Sequence, residues 1–117
     1  MDPMPTLAAQ LRDLARVEQR AAELVTVYRI SRGDTVLDVG MTTNLKRRLT
    51  EHRRRDWWTQ GVTVHATKPV PRTLGRLVEA TEMQRRRPEH CTHTQVTPPY
   101  VNGDWAAARR VRFFHTG

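Results

Sequence analysis

Residues 24–40, LVTVYRISRGDTVLDVG, constrain the fold more than any other stretch of the chain. Two runs rich in β-branched residues, each with a period of two, flank a Gly-Asp pair, which is the signature of a β-hairpin. The register follows from which side chains must be buried. A two-residue Gly33-Asp34 turn running on as a regular ladder would pair Tyr28 with Val39 and mix polar and apolar residues on both faces. A three-residue loop over Arg32 to Asp34 pairs Tyr28 with Asp38 and Ile30 with Val36, and gathers Val25, Val27, Leu37 and Val39 on the other face. A one-residue slip would turn every side chain over, so the second register is expected. It sets a carboxylate, Asp38, beside an aromatic ring in the middle of an apolar strand.

The rest of the chain supplies what must cover that hairpin. Leu7, Leu11, Leu14, Ala15, Ala21, Ala22 and Val25 recur at three- and four-residue steps, which predicts an amphipathic helix starting near Thr6. After the hairpin, Thr42 or Thr43 is the expected cap of a helix NLKRRLTEHRRR, with Leu45 and Leu49 inward and Arg48 and His52 sharing a face. A strand GVTVHA follows Gly61, and a last long helix runs from near Pro71 until Pro88 stops it. Residues 104–117, DWAAARRVRFFHTG, suit either a short helix capped by Asp104 or an edge strand using Val111 and Phe113. The expected fold is α+β: a small three-stranded antiparallel sheet flanked by helices, with an extra N-terminal helix. The expected divisions are an amphipathic helix over 1–23, a core over 24–91 and a basic, aromatic extension over 92–117 that packs on the core.

Charge narrows the partners. The 117 residues carry a formal net charge of +8, almost entirely from arginine, which points to a polyanion and most often to nucleic acid. The runs HRRRDWW, MQRRRPEH and ARRVRFF hold three clusters, and Arg47, Arg53, Arg54, Arg55, Arg72, Arg85, Arg86, Arg109 and Arg110 are the candidate DNA-binding residues. The single cysteine, Cys91, excludes an internal disulfide and fits a reducing compartment. The start of the chain lacks the pattern of a signal peptide, and no stretch has the roughly 20 apolar residues of a membrane span. The expectation is a soluble, cytoplasmic protein with no membrane partner. In HCTH, His90, Cys91 and His93 lack a second ligand pair at zinc spacing, so a solvated loop is expected there.

Tyr28, the hairpin, Gly40, then Arg48 and His52 on one helix face and Glu79 on a later helix form an order that resembles the GIY-YIG nuclease family. The resemblance covers residues 25–91. The first signature tripeptide corresponds to Thr26-Val27-Tyr28 and the second to Asp38-Val39-Gly40. The helix arginine falls on Arg48, and the family's acidic residue falls on Glu79, nine residues before Pro88. Asp38 stands where the second signature tyrosine belongs, and Cys91 stands where an asparagine usually follows the proline.

The resemblance implies metal-dependent hydrolysis of DNA phosphodiesters, with weak sequence or structure preference or targeting by a protein partner. Glu79 would hold Mg²⁺ or Mn²⁺, and Asp38 could add a second carboxylate. Arg48 would stabilise charge on the scissile phosphate. Tyr28 would act as general base or orient the water, its pKa lowered by Arg47, Arg48 and the metal, and His52 would relay a proton. Without a metal, Asp38 would pair with Arg48. The alternative is a catalytically reduced relative that binds nucleic acid as an accessory factor.

Overall fold

The computed structural model describes residues 6–90 and 102–116 and centres on the hairpin. Strand β1 (Leu24–Arg32) pairs antiparallel with β2 (Thr35–Thr42) on one side and with β3 (Val62–Ala66) on the other. Two further strands enlarge the expected three-stranded sheet to five. The short β4 (Val70–Pro71) pairs with the start of β1, and β5 (Phe114–Thr116) adds to β3, giving the order β2-β1-β3-β5. Four helices flank it: α1 (Leu7–Ala22), α2 (Leu45–His52), α3 (Arg72–Arg86) and α4 (Trp105–Arg110). Residues 104–110 take the helical form, with the Asp104 side chain accepting from Ala107 N at 2.9 Å, and the edge strand that follows is Phe114–Thr116, beyond the expected Val111 and Phe113.

The hairpin corrects the expected register while keeping its consequence. Arg32 pairs with Thr35 across a two-residue turn, where Gly33 adopts φ +58°. The extra residue enters further along instead: Ser31 faces Val36 and Ile30 faces Asp38, leaving Leu37 in a bulge. A two-residue turn matches the strand twist, and the bulge supplies the single-residue shift that the burial pattern demands. Tyr28 thus faces Gly40 rather than Asp38, but Tyr28 and Asp38 still share one side of the sheet. Val36 and Leu37 exchange the faces expected of them.

Each face of the sheet has its own core. Val27, Val36 and Val39 pack with Leu77, Val78 and Met83 of α3 and Ala108 of α4. Tyr28, Ile30 and Leu37 pack with Leu49 of α2 and with Val64 and Ala66 of β3, with Trp57 and Trp58 at the margin. The α2 cap is Asn44, one or two residues beyond the expected threonines; its side chain accepts from Arg47 N at 3.0 Å, while Thr42 accepts from Asn44 N at 3.0 Å. The close approach of α3 to the sheet depends on Gly75, where a Cβ would lie 2.5 Å from Val25 Cγ2 and 3.1 Å from Met41 Sδ. Helix α1 buries none of its residues; Leu7, Leu11, Leu14 and Val17 are exposed, and it meets the rest of the fold through its last turn and α3.

One charged pair lies within this packing. Arg29 Nη1 donates to Glu82 Oε2 at 2.7 Å, with Glu82 almost wholly buried, and its guanidinium sits 4.8 Å from the Phe113 ring centroid. The outcome expected for Glu82→Ala is a loss of about 3–5 kcal/mol of stability in urea denaturation, because Arg29 is left in a half-apolar setting without its counter-charge.

Candidate active site

Tyr28 is carried into position by what lies opposite. A Cβ at Gly40 would come within 2.5 Å of Tyr28 Cζ and 2.9 Å of Cε1, so the phenol lies across β2 where only glycine leaves room. The ring then reaches the last turn of α2. There Tyr28 Oη is 2.9 Å from His52 Nε2, and the rings meet edge-on with centroids 5.6 Å apart. Asp38, two residues before Gly40 and on the same face, places Oδ2 3.2 Å from the same nitrogen. Asp38 is only 6% exposed, and Tyr28 is 1% exposed.

Arg48, one turn before His52, lies within electrostatic reach of the Tyr28 phenol and favours its ionised form. It also lies 3.7 Å from Glu51, whose other oxygen is 3.9 Å from Arg47. Glu79, buried in the middle of α3, acts electrostatically on the same phenol. Glu82, three residues on, is engaged by Arg29 and by Arg86 at 3.4 Å. The structure therefore brings Tyr28, Asp38 and His52 into contact, with Arg48 and Glu79 within electrostatic reach of the phenol. Arg53, Arg54 and Arg55 are exposed just beyond α2, Arg85 and Arg86 are exposed in the last turn of α3, and Arg109 and Arg110 are exposed at the end of α4.

The electrostatics correct one expectation. The Tyr28 hydroxyl is pushed well above its ordinary pKa, first by burial and then by the Asp38 carboxylate, with Glu79 adding to this and Arg48 opposing it. Its pKa is not lowered, so at neutral pH Tyr28 is a fixed O–H and not a phenolate base. His52 is held below the usual histidine pKa by burial and by the neighbouring Arg48 and Arg55 guanidiniums. Its contact with Asp38 is thus a hydrogen bond from a neutral ring.

The tautomer follows from the other ring nitrogen. His52 Nδ1 is buried without a hydrogen-bond partner. An orphaned lone pair is tolerated more readily than an orphaned N–H, so the proton sits on Nε2, which donates towards Asp38 Oδ2 and Tyr28 Oη. In this tautomer His52 orients its neighbours; it does not accept the phenol proton.

The aromatic margin was not legible as part of the site. Trp57 leans on His52 with centroids 5.6 Å apart, and its ring stacks on that of His90 at 5.1 Å and 5°. His90 N also donates to Leu37 O at 2.8 Å, which fastens this segment to the bulge. Cys91 and His93 of the HCTH segment lie outside the described residues. Among the described residues no group of three or more His, Cys, Asp or Glu is gathered for a metal ion. No helix is long and apolar enough to cross a membrane. No protein-family model, curated protein or solved structure matches this chain.

The depressed His52 pKa has a signed consequence. Below the ordinary histidine pKa of about 6.5 the unfolded chain takes up a proton that the folded chain resists, so stability is full above that pH and declines as pH falls beneath it. His52→Gln should flatten this part of the stability-against-pH curve measured by denaturant titration, and ring-proton NMR should place the His52 midpoint below that of a free histidine.

Proposed function

We propose that the chain is a stand-alone GIY-YIG-type endonuclease that hydrolyses DNA phosphodiesters with Mg²⁺ or Mn²⁺. The observation that carries the reading is the convergence of Tyr28 and Asp38 on the Nε2 of His52, with Arg48 and Glu79 within electrostatic reach of the phenol. Packing alone does not call for a buried carboxylate, a tyrosine hydroxyl and a histidine from three separate elements to meet, with a second buried carboxylate and an arginine acting on the same phenol.

The donor set fits a hard divalent cation. Mg²⁺ retains several waters and needs only one or two carboxylates alongside substrate oxygens, and Glu79 and Asp38 are two buried carboxylates acting on one phenol. Glu79 would hold the ion, with Asp38 at its side. When bound, the ion supplies charge neutralisation at the phosphoryl group and lowers the pKa of water. The chain's own groups do the rest. Arg48 stabilises the charge that builds on the phosphoryl oxygens. Tyr28 keeps its proton and orients the attacking water through its hydroxyl. Asp38, steered by the Nε2–H of His52, takes the water's proton as the new P–O bond forms and the P–O bond to the leaving ester oxygen breaks, that oxygen taking a proton from solvent. In this scheme Asp38 supplies as a base what the second signature tyrosine does not supply here. The exposed arginines around α2 and at the end of α3 supply sequence-independent affinity for the backbone.

A binding-only reading has one observation in its favour, the replacement of that tyrosine by Asp38. Nicking of supercoiled DNA separates the two. With Mn²⁺, wild type should cleave, Glu79→Ala and Arg48→Ala should each lose about 10²-fold or more, and Asp38→Asn should lose about 10²–10⁴-fold. If wild type is inert and Asp38→Tyr cleaves, Asp38 marks a disabled nuclease and the proposal fails.

A further inference from the structure

Away from the polar cluster, α1 and α3 enclose a cleft of about 260 Å³ lined by Val17, Arg20, Ala21, Arg72, Thr73 and Arg76. Three of the six are arginines and none is acidic. We infer that this cleft is a second phosphate-binding subsite, which holds a backbone phosphate of the same nucleic-acid strand whose scissile phosphate lies at Glu79. The inference rests on the nuclease reading only for the second half of that statement.

The cleft is built into the fold. Arg72 N donates to Glu23 O at 2.8 Å, and Thr73 Oγ1 donates to Ala21 O at 3.3 Å, so the end of α1 is fastened to the start of α3. Arg72 is mostly buried there, with Nη2 3.0 Å from Glu23 Oε2. Its Nε is buried without a hydrogen-bond partner. Arg20 and Arg76 stand on the two walls, and guanidinium forks match phosphate oxygens in a way that a lysine would not.

Helix geometry ties the cleft to the proposed scissile site. Arg72, Arg76 and Glu79 follow at steps of four and three on one face of α3. At 1.5 Å per residue, Arg76 lies roughly 4.5 Å and Arg72 roughly 10.5 Å along the axis from Glu79. With a rise of about 3.4 Å per nucleotide, a strand following α3 would put the cleft about one to three nucleotides from the bond that Glu79 serves. The N-terminal helix thereby takes part in binding, contributing Arg20 as one wall of the subsite.

The test is salt-dependent binding of a short DNA duplex, without divalent metal, to the wild type, to Arg20→Gln/Arg76→Gln and to Arg12→Gln/Arg16→Gln. The last variant removes the same charge from exposed positions of α1 outside the cleft. The cleft variant should bind roughly tenfold more weakly, and its slope of log affinity against log salt should be shallower by about 1. The outer variant should stay near wild type. Circular dichroism checks that both fold. Equal effects in the two variants, or no effect in the cleft variant, would overturn the subsite. If the cleft variant weakens binding as expected while wild type fails to cleave, the subsite stands and the nuclease reading falls. In a cleaving protein the cleft variant should raise KM and leave kcat within about twofold.

Discussion

The structure turns on two polar groups sharing one buried histidine nitrogen. His52 Nε2 lies 2.9 Å from Tyr28 Oη and 3.2 Å from Asp38 Oδ2 inside a core otherwise made of Ile30, Leu37, Leu49, Val64 and Ala66. A phenol, a carboxylate or an imidazole buried singly there would lose several kcal/mol of hydration, and together they satisfy one another. Much of the local structure is explained by this contact. Gly40 has no side chain because the Tyr28 ring crosses it, the bulge at Leu37 keeps Asp38 on the ring's face, and α2 ends where His52 can reach both.

The same cluster shows how far a sequence can be read. The hairpin, the amphipathic helices, the helix start at Arg72 and its stop before Pro88 were legible because each has a local cause: β-branched alternation, three- and four-residue spacing, and proline punctuation. The face shared by Tyr28 and Asp38 was legible because burial fixes parity. The turn that achieves it was not, since a loop of three residues and a turn of two with a later bulge leave the same pattern of buried residues. The two short strands β4 and β5 carry too few residues for any periodicity and form only because β1 and β3 offer them edges.

For the site, sequence order placed the residues and could not give their partners. Asp38 was expected beside Arg48 or a metal, and the structure places it against His52. Glu79 and Glu82 lie three residues apart on one helix, and what distinguishes them in space is Arg29, which engages Glu82, while Glu79 acts on Tyr28. The direction of the Tyr28 pKa was misread because a count of nearby arginines ignores desolvation, which is the larger effect at a ring that is 1% exposed. Trp57 in HRRRDWW and His90 in HCTH stood out in the sequence for other reasons, and only their stacking beside His52 reveals them as a wall of the cluster.

The central claim is that this buried polar cluster is poised for a hard divalent cation at its carboxylates. Paramagnetic broadening of backbone amide signals during a Mn²⁺ titration tests it directly. The account predicts saturable broadening centred on Glu79 and Asp38, extending to Tyr28 and Arg48, and lost in Glu79→Gln. Broadening centred instead on exposed acidic residues such as Asp13, Glu18 or Asp56, with Glu79 and Asp38 unaffected, would contradict it.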